Sequence, residues 1–587
     1  MKLPILGPVK TVRKVTDSFD GLDLTSADHD NAFAKAMNVS SARWPALTVR
    51  DKRRLEGEYT DVKTICYAGS QVLIDGTDVY VGGVKVAGLT LSAGDKKTVT
   101  VGRRVYIFPD KVYVDTESPV SFGQMEEEAS FSSGYLLIEP AIRAYASAPY
   151  SRSPVQPSPQ DPADMEGWFW MDTSASPCKL YKYVYNGSSG SFTEVGYDCT
   201  RIVAISAGMD LVTNAFDCFE VGDGVRLSGT GSAANAITAL GLEGDHIVIN
   251  RAQGMLVLNV RTADYRQLSL GAAPLDGSAS VKRKVPDLDM AVYAGNRIWG
   301  CSVSGNRIYA SRYGSPCSWF GSDSNTADPL NIPAGTPGDF TGAAVIGGNP
   351  VFFKEDHIHK ISGLSQLAIS AAGVRRGCGA SLAQVGDALC YVSEGGICAY
   401  KGGAPYSVSR ELGRIECTSA VAGALGGKYY LFMKKNGVSR TLVYDSTREV
   451  WFEEDPLPAK AVESHGGTLY AALDDNSVTS IGGGSGTPEG DIAWYLESRD
   501  VRTRSGGRKL LSRIAVRAKL DPGAHASVYV SYDDSDGRVF VGGLSDGLTA
   551  VNLRSRKSDN VRLYIEGVGG CTLFSVSRSY TEAEEFG

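Results

Sequence analysis

Short runs of alternating apolar and polar residues, separated by turns with glycine, recur along most of this chain. In one of them, AGNRIWGCSVSGNRIYASRYGSP (294–316), the tetrapeptide Gly-Asn-Arg-Ile occurs at 295–298 and again at 305–308. A step of this length suits one short strand and one tight turn. Gly-Asn readily adopts the positive φ of a hairpin turn, and Ile-Trp or Ile-Tyr then begins a strand. The repeat therefore predicts a β-meander.

Other segments share this layout of turn, strand, turn and strand. They span 68–88, 101–116, 347–363, 385–403, 426–454 and 465–483. From residue 347 onward the segments recur at about forty residues, which is the length of a propeller blade of four short strands. A propeller protects its sheet edges by closing on itself, usually with a strand from one terminus in the last blade. We expect the two earliest segments to supply that closure.

The region between the early and late segments has a different pattern. PYSRSPVQPSPQDPADMEG (149–167) predicts an extended linker, and the Asn186-Gly187 turn after it predicts a hairpin within small β modules. After the glycine run at 481–486, longer alternating strands predict a β-sandwich.

The expected fold class is therefore all-β: a β-propeller with an inserted small β region and a C-terminal β-sandwich. The expected domains are an N-terminal segment with the first propeller strands (1–117), the inserted modules (118–280), the remaining blades (281–488) and the sandwich (489–587).

Charge and cysteine content narrow the function classes. The formal net charge of −7 argues against a protein that grips nucleic acid with a basic face. The eleven cysteines include no Cys-x-x-Cys pair, so we interpret them as mostly reduced, buried thiols of a protein made inside a cell. No run of about 18 apolar residues occurs, and we expect neither a membrane span nor an export signal.

Candidate chemistry is sparse. His357 and His359 would share a strand face and could bind a metal with Glu355, but no third ligand follows at a suitable spacing, which favours a structural pair on a solvent face. The aspartate-rich turn at 533–537 lacks the glutamate that closes a calcium loop. Gly-x-Ser-x-Gly at 543–547 precedes a strand, whereas a nucleophile elbow needs a helix there. We predict no catalytic site, no metal site and no cofactor.

Several stretches resemble one family. NVSSARWPALTVRDKRR (38–54) combines small residues, an aromatic-Pro-x-Leu turn and an arginine-rich end, and NRIWGCSVSGNRIYASRYGSPCSWF (296–320) has the form of a signature blade. The stretches at 338–363 and 429–455 have the form of later blades. Together they resemble the β-propeller stabilisation or tail-nozzle proteins of tailed bacteriophages, and the likeness covers about 38–115 and 285–480.

This resemblance implies a virion structural protein of the tail, made in the host cytoplasm, and not an enzyme. Proteins of this kind form a ring, usually of six copies, below the portal and its adaptor, where they retain packaged DNA and conduct it during ejection. The implied partners are further copies of the chain, the portal adaptor or neighbouring tail proteins, and DNA in transient passage. A lack of net positive charge suits such a conduit, because strong phosphate binding would stall a moving duplex.

The segment that carries the resemblance also supplies candidate contact residues for a neighbouring subunit or adaptor. They are Arg43, Trp44, Arg50, Arg53 and Arg54. The alternative is that Trp44 fills the subunit's own propeller while the arginines are solvated. Arg297 and Arg307 are further candidates on the same logic.

Two other function classes stay open. A tail-tip or fibre-associated receptor binder would present Trp168 and Trp170 of the inserted region to glycans, although both tryptophans also fit a core. A propeller glycosidase would need carboxylates clustered on the ring axis and turnover of a sugar substrate.

Overall fold

The computed structural model describes most of the chain. The described residues are 11–25, 31–139, 150–158, 160–174, 179–195, 199–205, 211–239, 242, 244–259, 272–274, 278–320, 328–499, 509–533, 535, 537–554 and 556–582. Within them, the regular secondary structure is almost entirely β-strand. One α-helix, α1 (Ser232–Ala239), and the 3₁₀ turns Ala163–Met165, Gly379–Ser381 and Arg410–Leu412 are also described. No described helix has the length and apolarity needed to cross a membrane.

The strands of the first third of the chain are short. The N-terminal segment contains β1 (Thr11–Thr16), β2 (Phe33–Met37), β3 (Val39–Ser40), β4 (Leu47–Val49) and β5 (Arg54–Glu58). Two meanders follow: β6 (Val62–Tyr67), β7 (Gln71–Asp75), β8 (Asp78–Val81) and β9 (Val84–Lys85), then β10 (Lys97–Val101), β11 (Arg104–Phe108), β12 (Val112–Asp115) and β13 (Ser121–Gln124).

The inserted region lies between the second and third meanders. Its strands are β14 (Glu128–Phe131), β15 (Ser133–Glu139), β16 (Tyr150–Ser153), β17 (Phe169–Asp172), β18 (Lys179–Tyr185), β19 (Gly190–Val195), β20 (Cys199–Ile205), β21 (Gly224–Gly229), β22 (Asp245–Ala252), β23 (Met255–Asn259), β24 (Ala272–Pro274) and β25 (Ala279–Arg283).

Further meanders follow the inserted region. They are β26 (Met290–Ala294), β27 (Arg297–Cys301), β28 (Arg307–Ala310) and β29 (Leu330–Pro333); β30 (Gly342–Ile346), β31 (Asn349–Phe353), β32 (His357–Ser362) and β33 (Ser365–Ser370); β34 (Ala383–Val385), β35 (Ala388–Ser393), β36 (Gly396–Tyr400) and β37 (Tyr406–Ser407); β38 (Ser419–Leu425), β39 (Lys428–Lys435), β40 (Val438–Asp445) and β41 (Val450–Glu454); and β42 (Ala459–His465), β43 (Thr468–Leu473) and β44 (Ser477–Ile481).

The C-terminal strands are longer. They are β45 (Thr487–Pro488), β46 (Ala493–Ser498), β47 (Lys509–Leu520), β48 (His525–Tyr532), β49 (Val539–Gly543), β50 (Gly547–Asn552), β51 (Lys557–Ser558), β52 (Val561–Val568) and β53 (Cys571–Glu582).

The predicted fold class is confirmed: the chain is all-β, with propeller blades, an inserted β region and a C-terminal β-sandwich. Each segment that the sequence singled out forms hairpin strands within one of the antiparallel meanders. In the opening repeat, Gly295 and Asn296 have φ of 56° and 57° and join β26 to β27. Positive φ at both central residues is what a two-residue type I′ hairpin requires. Asn306, with φ of 47°, stands directly before β28.

Burial within a meander follows the position of each strand. Every residue of β35 and β36 is buried, whereas both residues of the outer strand β37 are exposed. Strands buried on both faces read as continuous apolar runs, and this explains the sequence ALCYVS at 388–393.

Closure of the last blade differs from our expectation. The early segments at 68–88 and 101–116 form meanders of their own. The strand that completes β42–β44 is β5, which pairs antiparallel with β44 and also with β45. The closing strand therefore begins at Arg54, the last residue of the 38–54 segment.

The sandwich shares a sheet with a blade. One sheet has nine strands in the order β38-β39-β40-β41-β2-β46-β52-β48-β49, so β2 links the edge of a blade to the sandwich. The facing sheet has the order β3-β4-β53-β47-β50, with β1 on β53 and β51 on β47. Apolar side chains from both sheets, such as Leu496 and Val528 from the first and Val516 and Leu573 from the second, join one buried cluster.

Contacts divide the chain into two compact units. Unit 1 comprises 1–103, 116–120 and 335–587, and unit 2 comprises 104–115 and 121–334. The domain limits expected from the sequence stay a prediction.

In unit 2 the Asn186-Gly187 turn joins β18 to β19 as expected. The segment at 149–167 differs from an extended linker at its start, because β16 pairs in parallel with β17.

Candidate functional site

The segment at 38–54 is built around Asn38, which lies between β2 and β3. Its backbone has φ of 58°, a left-handed conformation that asparagine tolerates better than most residues. The Asn38 side-chain amide donates to Asp455 Oδ2 at 2.6 Å and to the Ala493 carbonyl oxygen at 2.7 Å. Its Oδ1 accepts from Arg50 Nε at 3.0 Å and from the Asp455 backbone N–H at 2.9 Å. Asn38 therefore connects the end of β41 to the start of β46.

Arg50 is the centre of the charges around Asn38. Its side chain is only 4% exposed and forms ion pairs with Glu489, with Asp455 at 3.2 Å and with Glu454 at 3.8 Å. Burial alone would lower the pKa of Arg50, but these carboxylates, Glu489 foremost, raise it above the ordinary value. Burial alone would likewise raise the pKa of Glu489, which the hydrogen bonds from Arg50 lower instead. Arg50 and Glu489 therefore hold each other in the charged state.

Arg53 extends this arrangement to the closing strand. It donates to Glu454 Oε2 and to the Asp455 carbonyl oxygen, both at 2.9 Å, and its backbone N–H donates to Glu489 Oε1 at 2.7 Å. The next residue, Arg54, begins β5. We call Asn38, Arg50, Arg53, Glu454, Asp455 and Glu489 the junction network. It joins a blade, the closing strand and the chain entering the sandwich, all within unit 1.

The five predicted contact residues thus divide into two groups. Arg50 and Arg53 are each 6% exposed and are paired inside the unit, so neither the surface contact nor the solvated alternative describes them. Arg54 is half-buried and donates to the Gly486 carbonyl oxygen at 3.2 Å. Arg43 is exposed beside a cavity of about 330 Å³, and the half-buried Trp44 lies under the Arg448 guanidinium, 5.6 Å from the ring centroid.

The tryptophans of the inserted region have different environments. Trp168 is half-buried. Trp170 is buried, donates from Nε1 to the Ser153 carbonyl oxygen at 3.0 Å, and stacks on Tyr181 with ring centroids 5.0 Å apart. Trp170 therefore belongs to the core of its sheet.

The two arginines of the Gly-Asn-Arg-Ile repeat also differ from each other. Arg297 is buried and donates to the carbonyl oxygens of Ser311 at 2.6 Å and Asp328 at 2.8 Å. Arg307 is exposed and donates to Asn331 Oδ1 at 2.7 Å. The arginine of the first tetrapeptide thus binds two buried carbonyl groups, whereas the arginine of the second lies on the surface.

Both histidines make hydrogen bonds within the protein, but the expectation that the pair lies on a solvent face is wrong for His359, whose ring is enclosed by its blade. His359 is fully buried, with its ring nitrogens 2.9 Å from Thr336 Oγ1 and 2.8 Å from Gln366 Nε2. Burial, followed by the charges of Lys354 and His357, lowers the pKa of His359 to about 4. In the part of the chain that the structure describes, no three His, Cys, Asp or Glu side chains are grouped to hold a metal ion.

The remaining sequence candidates lie in turns. Asp534 and Asp536 of the aspartate-rich turn lie outside the described residues, and Asp533 accepts from the Asp559 backbone N–H at 2.7 Å. Gly543 ends β49 and Gly547 begins β50, so the Gly-x-Ser-x-Gly motif is a plain turn between sandwich strands.

Unit 2 contains a larger cavity of about 580 Å³ with charged walls. Lys111 lies 2.7 Å from Glu126 and 2.8 Å from Asp287, and Lys282 lies 3.3 Å from Glu126. Burial alone would raise the pKa of Glu126, but the hydrogen bond from Lys111 lowers it. The lysines are neutralised by carboxylates, and this cavity is better described as an ion-pair cluster than as an anion site.

Sequence reasoning missed the acidic half of the junction network. Glu454 and Asp455 end the stretch VWFEED, and Glu489 follows a glycine-rich turn, where carboxylates usually indicate solvated surface. More than 400 residues separate each of them from Arg50 and Arg53. No local pattern in the sequence connects positions so far apart.

Comparisons with known proteins add little beyond the fold. No protein-family model matches the chain, and no curated protein matches it. Among solved structures, it is similar to PorZ, an essential surface component of the type-IX secretion system of Porphyromonas gingivalis, at 9% identity over 88% of this chain and 77% of that one, with a TM-score of 0.24. It is also similar to a Trypanosoma rangeli sialidase, at 9% identity over 96% and 95% of the two chains, with a TM-score of 0.23.

BamB from Moraxella catarrhalis is a third similar structure. It is 11% identical over 34% of this chain and 72% of that one, with a TM-score of 0.21. Similarities this distant carry no argument about activity, partners or location.

Proposed function

We propose that this protein is a structural component of a tailed-phage virion, forming a ring-shaped tail nozzle or hub that retains packaged DNA and conducts it during ejection. The observation that carries the proposal is the junction network. The 38–54 stretch, which carries the N-terminal part of the family resemblance, is the segment that ties a blade, the closing strand and the sandwich together.

This arrangement suits a mechanical role. A subunit that holds pressurised DNA must transmit force between its parts without opening. The nine-stranded sheet continues from the blade β38–β41 through β2 into the sandwich, so backbone hydrogen bonds cross that boundary. Buried ion pairs of Arg50 and Arg53 lock the same boundary. Removing one partner from such a pair is costly, and this favours a single fixed geometry.

The charge of the chain also fits a conduit. The formal net charge is −7, and Arg50, Arg53, Lys111 and Lys282 are already paired with carboxylates. A duplex passing such a surface would release few counterions and would not be held in place.

Contacts with neighbours would then fall to exposed residues. Arg43 and Trp44 remain candidates, since Arg43 is exposed beside a cavity and Trp44 is only half-buried. A closed ring of identical subunits, of which six is the expected number, needs two different contact faces on each copy. The portal adaptor or a neighbouring tail protein would occupy an end of that ring.

Immunogold electron microscopy of virions that carry a tagged copy of this chain tests the proposal. We expect gold at one fixed level between the head and the tail tip in every particle. Label confined to peripheral fibres would overturn the nozzle assignment in favour of receptor binding. Intact particles without any label would overturn the structural role itself, provided that the tag is detected on the purified protein.

A further inference from the structure

Two buried cysteines of unit 1 face each other. The sulfur atoms of Cys378 and Cys417 are 3.6 Å apart, and the two residues are 0% and 2% exposed. Both are free thiols in the structure. A disulfide requires about 2.05 Å between the sulfurs, so the pair is a small side-chain movement away from bonding distance.

The two cysteines lie at equivalent points of consecutive meanders. Cys378 precedes the 3₁₀ turn Gly379–Ser381 that leads into β34, and Cys417 stands shortly before β38. The strands β34 and β38 are in contact. A bond between the sulfurs would therefore crosslink the segment before the first strand of one blade to the segment before the first strand of the next.

The backbone holds the two entry segments together independently of the sulfurs. Gly377 has φ of 78°, and a Cβ on it would lie 2.6 Å from the Thr418 carbonyl oxygen. Only a glycine allows this approach in this conformation. The proximity of the thiols is thus fixed by main-chain packing and does not depend on a flexible side chain.

We propose that Cys378 and Cys417 are an oxidative modification site, at which hydrogen peroxide converts the two thiols of the folded chain into an intrachain disulfide. The inference does not depend on the proposed function. It gives these two cysteines a role that we do not assign to the other buried thiols among the described residues.

The reaction is balanced by the peroxide alone. The Cys417 thiolate attacks one peroxide oxygen, the O–O bond breaks, and the departing hydroxide takes up a proton to leave water and a sulfenic acid. The Cys378 sulfur then loses its proton and attacks the Cys417 sulfur, and the hydroxyl group leaves as a second water. Two thiols and one peroxide become one disulfide and two waters.

The environment favours Cys417 as the first nucleophile. A hydrogen bond from the Cys378 thiol lowers the pKa of Cys417; burial opposes this effect, and the Arg375 guanidinium adds to it. The thiolate is the reactive form. A small uncharged oxidant suits a site that is closed to larger molecules.

Peptide mapping of the native protein tests the site. Reduced, desalted protein is treated with peroxide, its remaining thiols are alkylated, and it is digested without reductant for mass spectrometry. We expect a crosslinked peptide containing Cys378 and Cys417, with a loss of about 2 Da that a reductant reverses. The Cys571→Ser variant, which lacks a different buried thiol, should give the same crosslink.

Two results would overturn the proposal. One is an absence of the 378–417 crosslink at a peroxide dose that already oxidises the half-buried Cys218 and Cys317. The other is a yield of that crosslink in native protein no higher than in urea-unfolded protein, where pairing is random.

In Cys378→Ser, Cys417 should instead accumulate a sulfenic acid that a dimedone probe traps. If this variant does not fold, peptide mapping of the unaltered chain still tests the proposal.

Discussion

Arg50 is a buried cation whose ion-pair partners come from two separate parts of the chain, 454–455 and 489. We expect Arg50→Ala to lower the free energy of unfolding of unit 1 by about 1–3 kcal/mol, because it removes the cation that pairs with Glu489 and Asp455, while Glu454 keeps Arg53 as a partner. Urea denaturation followed by tryptophan fluorescence measures this loss. Arg43→Ala is the matched control, since Arg43 is exposed, and should stay within about 0.5 kcal/mol of the wild type. Equal losses in the two variants would show that the junction network contributes nothing specific.

His359 should make stability depend on pH. Burial, with Lys354 and His357 nearby, lowers its pKa in the folded chain to about 4, below the ordinary value of 6.5. The folded state therefore favours the neutral ring, and this contribution is complete above pH 6.5 and is lost as the pH falls towards 4. We expect acidification over that range to cost about 2–3 kcal/mol through His359 alone.

The variant His359→Gln isolates this effect. It removes the titrating ring while keeping a polar side chain near Thr336 and Gln366. The difference in unfolding free energy between variant and wild type, measured by urea titration at pH 7.5 and pH 4.5, should shrink or reverse at the lower pH. A difference that does not change with pH would contradict the assignment.

The closing strand β5 depends on a close approach by Gly486. A Cβ at Gly486 would lie 2.6 Å from the Leu55 carbonyl carbon and 2.9 Å from the Glu56 nitrogen, so Gly486→Ala must push β5 away. We expect a loss of about 1–3 kcal/mol and faster amide hydrogen exchange in β5 and β42–β44. Gly490→Ala is the control, because open space surrounds that position. Unchanged exchange in β5 would mean that the strand does not hold the last blade closed.

The meanders could be predicted from the sequence because each rests on local signals. Alternating apolar residues define the strands, and Gly-Asn at 295–296 defines a turn through its own backbone preference. The exchange of strands between segments could not be predicted. Neither the pairing of β5 with β44 nor that of Met37 with Glu453 has a local signature, since the partners are hundreds of residues apart.

The sequence indicated the segment that contains the candidate site, but it did not indicate what the arginines of that segment do. An arginine-rich run such as 50–54 normally indicates a solvated face, because arginine is rarely buried without a counterion. Its counterions at 454, 455 and 489 become visible only in the folded chain. The burial of Arg50 and Arg53 is therefore a consequence of tertiary structure, whereas the exposure of Arg43 follows the ordinary rule.

The net charge of the whole chain leads to a final prediction about nucleic acid. A conduit must let a duplex slide, and a chain with a formal net charge of −7 should release few counterions on contact with DNA. We expect fluorescence anisotropy with a labelled duplex to give a Kd weaker than about 1 μM at roughly 150 mM salt. The affinity should also change little between about 50 and 200 mM salt, whereas a basic protein with several phosphate contacts loses about 10³-fold or more.

A basic DNA-binding protein measured in parallel is the control for this experiment. Tight binding with a steep salt dependence would require a concentrated basic face outside Lys111, Lys282 and Arg50, which are paired with carboxylates. Such a result would favour a protein that anchors DNA over one that conducts it. Weak, salt-insensitive binding would agree with the proposed conduit, in which DNA would be retained by the shape of the assembly and not by attraction to the protein surface.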